Sequence, residues 1–302
     1  MLSWRLVKSG IEYASELAGR QGIALYFGLI TNGSVMNEEI LRTFSTYHVR
    51  PRLSFEILEE IQNKQRGAYR KVCQTLDALS AREIPCEVRS MITPANVDRL
   101  GEMVLEMVHR FPAVATYYFD PITDARIFSD PEYTRRFYHR YNEAFLQART
   151  IAKAHQKELK NATSRSLETT VERYCNGELC LTPEGTFSIC MEVSSPEEKH
   201  YEEFIYGWID ENHTVRMDRE KFRRLKEKEM AQQNPDCLHC FARWNCGGGC
   251  MASNNQYSYE VRQVICDATR SLTHRLLLER LHEEYLSQSG ITLEELVNNY
   301  MD

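Results

Sequence analysis

No stretch of the 302 residues approaches the roughly 20 consecutive apolar positions that a membrane-spanning helix requires, so none is expected. No charged segment followed by an apolar one opens the chain; a secretory leader is not expected, and the protein reads as cytoplasmic. Blocks of like charge are missing too: 37 Lys and Arg against 43 Asp and Glu give a net charge of −6, spread along the sequence. That pattern offers neither the basic stripe of a nucleic-acid binder nor a membrane-surface patch. What remains is a chain long enough for one large domain or two smaller ones, with 42% hydrophobic residues to fill a core.

The first half alternates between strand and helix patterns. Residues 6–22 have helical spacing through Leu6, Ile11, Ala14 and Leu17, and residues 23–30 form a continuous apolar run of buried-strand length closed by the turn Thr31-Asn32-Gly33. Asn37 is placed to cap a helix, with Glu38 and Glu39 in its first turn. Strands are predicted over 49–55, 86–92 and 113–119, and helices over 68–81 and 95–111. Such alternation builds an α/β fold, here a parallel sheet or partial barrel of about four strands, with active sites at the carboxyl ends of the strands. Residues 131–160 are strongly helical, with Tyr133, Phe137, Tyr141, Phe145 and Ile151 on a core-facing stripe. A polar segment, 161–172, then marks the expected boundary between a first domain (1–160) and a cysteine-rich α+β domain (161–270). Closing helices are predicted over 271–286 and 292–298 within a terminal segment, 271–302.

Cysteine is the residue the chain has in excess. Eight of its ten cysteines lie between Cys175 and Cys266, and four of them make the run Cys237-x2-Cys240-x5-Cys246-x3-Cys250. In a reducing compartment, clustered thiols are metal ligands or redox groups more often than disulfides. Thiolates suit both zinc and iron–sulfur clusters. A structural zinc site favours two short pairs, and only one C-x2-C pair occurs here, whereas eight cysteines suffice for two cubane clusters. Gly247, Gly248 and Gly249 are expected to let backbone run close to such a cluster. Cys73 and Cys86 are isolated and read as core thiols, and His239, between two ligand cysteines, reads as a neighbour of the site rather than a ligand.

Upstream, Cys175 is followed by nine residues, Gly185, four residues and Cys190, and Cys266 follows Cys250 after fifteen. Taken with the central run, this resembles the SPASM extension of radical S-adenosylmethionine (AdoMet) enzymes, C-x9–15-G-x4-C…C-x2-C-x5-C-x3-C…C. The stretches Leu181-Thr182-Pro183-Glu184-Gly185 and Ile205-Tyr206-Gly207-Trp208-Ile209 look like the family's strand-turn before the second cysteine and the linker after it. The resemblance implies two auxiliary [4Fe–4S] clusters, the first on Cys175, Cys190 and Cys250 and the second on Cys237, Cys240, Cys246 and Cys266. Cys180 is the candidate fourth ligand of the first; the alternative is a core thiol on the strand predicted over 179–182. In the first half, Thr31-Asn32-Gly33 resembles the third barrel strand of a radical AdoMet peptide maturase. Ser54-Phe55-Glu56-Ile57 stands at the family's Ser-x-Asp-Gly position, and Asn63-Lys64-Gln65-Arg66-Gly67 in the loop after it. Ser54 and Arg66 thereby become the implied AdoMet-binding residues; the plainer alternatives are a strand-end hydroxyl bonded to backbone and a solvated surface charge.

One departure is large. The C-x3-C-x2-C set that holds a radical-initiating third cluster does not occur in the 302 residues, and Met1-Leu2-Ser3-Trp4-Arg5 resembles the residues directly after the Gly-Gly-Glu-Pro motif of the second barrel strand. The expectation is therefore an N-terminally truncated maturase unable to cleave AdoMet by itself, with its open sheet edge covered by a partner chain or by self-association. A non-catalytic two-cluster electron-transfer or binding subunit is the alternative, and a zinc-stabilised module a third. Sulfatase maturases carry Asp directly after the second SPASM cysteine; Met191 stands there, so the resemblance favours a peptide maturase over a sulfatase maturase, within the wider class of peptide or protein substrates. Glu192 and Asp120 are the carboxylates proposed as proton acceptors, and Tyr117 and Tyr118, near a strand end, are candidates to face substrate.

Overall fold

Gly22 ends the first helix in the left-handed region (φ 67°), its N–H bonding back to the carbonyls of Ala18 and Gly19, so α1 runs Trp4–Gln21. The computed structural model describes residues 3–175, 177, 179–198, 200–228, 234–292 and 295; the helix predicted over 292–298 lies largely outside these. The chain forms two compact units, Met1–Ile122 with Arg136–Ala162, and Thr123–Arg135 with Thr163–Asp302. Among the described residues no helix is long and apolar enough to cross a membrane.

In the first unit α1 is followed by β1 (Gly28–Thr31), α2 (Glu38–Thr46), β2 (Arg50–Ser54), α3 (Glu59–Gln65), α4 (Tyr69–Ser80) and β3 (Glu87–Ile92). After a 3₁₀ turn at Val97–Arg99 come α5 (Leu100–Arg110), β4 (Thr116–Pro121), α6 (Pro131–Ala154) and β5 (Glu158–Lys160). Among the described residues the strands form one sheet in the order β1-β2-β3-β4-β5, every neighbour parallel. The fold class is thus α/β as expected, with five strands instead of about four. The extra one is β5: α6 stops at Ala154, Gln156 turns left-handed (φ 58°), and the Glu158 N–H pairs with the Ala115 carbonyl. Asn37 caps α2 as predicted, its side chain accepting the Ile40 N–H at 2.9 Å.

Two expectations about the start of the chain fail. The buried strand predicted over 23–30 shrinks to Gly28–Thr31, and Ile23, Leu25, Tyr26 and Ile30 are exposed, because β1 is the sheet's edge. On α1, Ile11 is buried but Leu6 and Leu17 are exposed; the buried stripe is Trp4, Ile11 and Ala18. The α6 stripe holds: Phe137, Tyr141 and Phe145 are buried, though Tyr133 is exposed, and Tyr141 donates to the Phe119 carbonyl at 2.7 Å.

The sheet's two faces differ in chemistry. Val88, Ser90 and Ile92 of β3, with Leu53, Tyr117 and Phe119, are wholly buried on one face. The other presents Arg50, Arg52 and Ser54 of β2, Glu87, Arg89 and Met91 of β3, and Thr116, Tyr118 and Asp120 of β4, in parallel register. Parallel sheets normally bury both faces under apolar residues, and this charged face departs from that pattern.

The second unit contains α7 (Ala162–Ser166, its first residue grouping with unit one), β6 (Cys180–Leu181), β7 (Thr186–Ser188), α8 (Tyr201–Phe204), β8 (Ile205–Ile209), β9 (Val215–Met217) and α9 (Arg219–Lys228). A 3₁₀ turn, Pro235–Cys237, then leads to α10 (Arg243–Cys246), α11 (Met251–Asn254) and the long α12 (Tyr259–Ser289). Strands β6-β7-β8-β9 form an antiparallel sheet in sequence order. Residues 205–209, read from sequence as a linker, are its third strand. There Gly207 is required: a Cβ would stand 2.7 Å from the Arg216 carbonyl oxygen. The closing helix begins at Tyr259 rather than at the predicted 271, and Ser258 caps it by accepting the Val261 N–H through its side chain.

Candidate functional site

The cysteine region is built from short turns that present thiols in sequence. Asn234 caps the 3₁₀ turn through the Asp236 N–H (3.0 Å) and places Cys237 at its end; Cys240 then bonds back to the Cys237 carbonyl, and Cys246 closes α10. Cys250 is the residue before α11, and Cys266 lies on α12. Cys190 follows β7, its N–H held by Ser188 Oγ at 3.2 Å, and both Cys190 and Cys250 pack against the cluster of Phe187, Ile189, Phe204 and Tyr206.

The electrostatics of the thiols sort them into two sets. Burial, opposed by the Glu192 backbone N–H, pushes Cys190 up to about 11, and the nearby Cys250 and Cys175 thiols add to the rise. Burial likewise raises Cys246 to about 11, with Cys266, Cys237 and Cys240 as its neighbours. Cys237 is raised by burial and then by Cys266 and Cys240. Cys190 thus has Cys250 and Cys175 as neighbours, while Cys237, Cys240 and Cys266 neighbour Cys246. Cys180 begins β6 opposite Ser188, with Tyr206 beside it. Among the described residues no three His, Cys, Asp or Glu side chains converge to hold a single metal ion. The donors are all thiols, which suit iron–sulfur clusters as well as zinc.

The glycine run has a role other than the one expected from sequence. Gly247 adopts φ 62°, and a Cβ there would lie 2.3 Å from both Arg173 C and Tyr174 N. The missing side chain thus makes room for backbone. Tyr174 N–H donates to the Gly247 carbonyl (2.9 Å), Val171 N–H to the Trp244 carbonyl (2.7 Å), and the Asn245 amide to the Thr169 carbonyl (3.2 Å). These bonds stitch the segment before Cys175 to the segment before Cys250. Gly185, at φ 77°, makes the turn between β6 and β7, as Leu181-Thr182-Pro183-Glu184-Gly185 suggests. His239 is exposed.

In the first unit Ser54 ends β2 on the charged face, and among the described residues its hydroxyl has no hydrogen bond. Arg66 is exposed, and its Nε donates to Glu56 Oε1 at 2.6 Å. Glu56 is wholly buried, and its other oxygen accepts from Ser90 Oγ (2.7 Å) and the Met91 N–H (2.9 Å). Gln62 completes the knot, accepting the Glu56 N–H and donating to the Gly67 carbonyl. A single nitrogen of Arg66 is thereby anchored, and its side chain stays 36% exposed. Ile57 takes a left-handed backbone (φ 67°) although it is β-branched and buried.

The proposed acids are differently placed. Asp120 is buried, accepts the Ala162 N–H at 2.8 Å and pairs with Arg89 at 3.2 Å, so it is already committed to two cationic or N–H partners. Glu192 is exposed. Tyr117 and Tyr118 are both buried; burial pushes Tyr117 up to about 12, while Tyr118 carries Arg52 over its ring at 4.4 Å and reaches Glu87 at 3.3 Å. The Glu56 knot and this Arg52–Glu87–Tyr118 group were missed in the sequence. The signal was available as charge on alternate residues, Arg50 and Arg52, Glu87 and Arg89.

The sequence matches no family model and no curated protein. Solved structures are similar in fold. Native anSMEcpe, an anaerobic sulfatase-maturating enzyme of the radical AdoMet/SPASM type, solved with bound AdoMet and Cp18Cys peptide, superposes with a TM-score of 0.66 at 13% identity, covering 89% of this chain and 80% of that one. The same protein with bound AdoMet alone gives 0.63 at 12% identity, over 85% and 76%. The chain therefore has the fold of these radical AdoMet/SPASM structures: a parallel β/α sheet followed by a separate antiparallel sheet.

Proposed function

We propose that the chain is an iron–sulfur protein of the radical AdoMet/SPASM maturase type, acting on a peptide or protein substrate. The observation that carries this reading is that Cys190 neighbours Cys175 and Cys250, and Cys246 neighbours Cys237, Cys240 and Cys266. Cys175, Cys190 and Cys250, with Cys180 as candidate fourth ligand, would hold one [4Fe–4S] cluster; Cys237, Cys240, Cys246 and Cys266 would hold the other. Bound clusters of this kind supply one-electron transfer. Arg270 hydrogen-bonds Cys240, placing a cation beside one of the candidate ligands. Ser54 and Arg66 would bind AdoMet, Arg66 through the donors that Glu56 leaves exposed. The C-x3-C-x2-C set is not found in the 302 residues, so no AdoMet-cleavage step is assigned to them. A thioether cannot accept a proton, and Met191 next to Cys190 favours a peptide over a sulfatase as substrate.

Anaerobic reconstitution followed by iron and sulfide analysis tests this. Two clusters require about eight irons per chain. Cys190→Ala and Cys246→Ala should each remove about half of them, because the two residues belong to different clusters. Folded protein that takes up zinc and no iron would sink the reading.

A further inference from the structure

Large apolar side chains are exposed on the loop that carries three of the cysteines proposed for the second cluster. Leu238 directly follows Cys237, Phe241 directly follows Cys240, and Trp244 stands two residues before Cys246. These three, with Leu278 and Leu281 of α12, are each between 41% and 54% exposed. Contacts draw them into one surface. Arg243 Nη1 donates to the Leu238 carbonyl at 2.9 Å, and its guanidinium carbon lies 4.4 Å from the centre of the Trp244 ring. Phe241 meets the His274 ring edge to face, centroids 6.4 Å apart. His274, Leu278 and Leu281 follow at i, i+4 and i+7 along α12 and so share one side of that helix. All of them belong to the second unit.

Exposed apolar residues scattered singly need no explanation, but contiguous ones mark a contact. Charge is scarce here as well. Arg243 is the one Asp, Glu, Lys or Arg from Cys237 to Tyr259, in a chain that is 26% charged. Low charge together with Phe, Trp and Arg is the composition of an interface centre. Among the described residues no carboxylate pairs with Arg243, which leaves its charge for a partner to answer. A second copy of the loop would bring another Arg243 and no carboxylate.

We propose that Leu238, Phe241, Trp244, Leu278 and Leu281, around Arg243, form the docking face for a small acidic one-electron protein that exchanges its electron with the second cluster. The partner's reduced centre gives up one electron and is oxidised; the cluster is reduced, and no bond or proton moves. Place decides for a redox partner: a protein seated on the chain neighbours of Cys237 and Cys240 sits beside the thiols themselves. Size agrees, since transient redox encounters use small interfaces, below about 1,200 Å². From the proposed function the assignment takes only that Cys237, Cys240, Cys246 and Cys266 hold a cluster.

The probe is a [2Fe–2S] ferredoxin of net negative charge. Its binding to the reconstituted full chain is read by anisotropy of the labelled oxidised form, and electron transfer by stopped-flow mixing with the reduced form. Leu278→Asp, outside the ligand loop, and Trp244→Ala should each weaken binding and lower the second-order rate about tenfold or more. Arg243→Gln should slow association, and the loss should shrink in high salt. Val215→Asp, at an exposed apolar residue of β9, should change neither readout. Indifference to Leu278→Asp and Trp244→Ala, or an equal loss in Val215→Asp, overturns the proposal. So does a dimer that Leu278→Asp dissolves, because the face would then belong to a second copy. A chain with about eight irons that is reduced by methyl viologen but neither binds nor is reduced by the ferredoxin sinks this proposal alone, whereas a chain without iron sinks the cluster reading and this with it.

Discussion

Glu56 holds a charge that water cannot reach, and its two classes of partner are unequally placed. Arg66 keeps 36% of its side-chain surface, whereas Glu56 keeps none. Removing Arg66 strands a buried carboxylate with only Ser90 and the Met91 N–H to stabilise it; neutralising Glu56 leaves a guanidinium that can turn outward. Arg66→Ala is therefore expected to cost about 3–5 kcal/mol, and Glu56→Gln about 1–2 kcal/mol. Urea unfolding of both variants and of the double variant measures the difference. The double variant should lose less than the sum, because the residues act as a pair. Equal single losses would mean that Ser90 and Met91, not Arg66, hold the charge. The same knot explains why Arg66 could not be read as anchored from sequence: its partner stands where the family has Asp, and only the fold brings α3's end back over β3.

Between elements of the second unit, Gly247 lies hard against the backbone of Arg173 and Tyr174, 2.3 Å from where its Cβ would be. Those atoms cannot rotate away, so Gly247→Ala must push apart the segments that carry Cys175 and Cys250. On the proposed two-cluster reading, the expected result is selective loss of the first cluster, reducing the iron count from about eight to about four per chain. Gly22→Ala, which adds a Cβ into open space at a similar φ, should leave the count unchanged. Iron analysis after anaerobic reconstitution separates the two. The sequence made the glycines conspicuous but not their contact, since spacing along the chain carries no information about a segment far upstream. Elsewhere legibility followed the strength of the local signal. The Asn37 cap, Gly185 turn and the Phe137–Phe145 stripe are set by neighbouring residues and appear as expected. Residues 23–27 and β5 were misread because an apolar run does not say whether tertiary structure will cover it, and helical spacing in 131–160 hid the left-handed break at Gln156.

For the whole molecule, stability against pH is bounded by different physics on each side. Hydrogen bonds from Arg99 hold Glu60 and Glu102 below the ordinary 4.5, and those from Arg126 bring Asp124 down to about 2. A carboxylate with a depressed folded-state pKa releases its proton more readily than in the unfolded chain. Its stabilisation is complete above the unfolded value and is lost as pH falls through the folded one, here from about 4.5 toward 2. On the alkaline side burial raises Cys86 from 9.0 to about 11 and Tyr117 from 10.0 to about 12. The unfolded chain then loses these protons first, so stability is complete below pH 9 and declines as pH rises toward 12. Thermal melts across this range should show a plateau with two falling limbs. The acid limb comes from exposed ion pairs and should weaken in high salt, whereas the alkaline limb comes from desolvation and should not. Tyr117 supplies a direct test: its buried hydroxyl has no hydrogen-bond partner among the described residues, so Tyr117→Phe removes an unsatisfied group as well as a titrating one. That variant should melt no lower than the parent at neutral pH and should retain more of its stability above pH 10; an unchanged alkaline limb would show that Tyr117 does not set it.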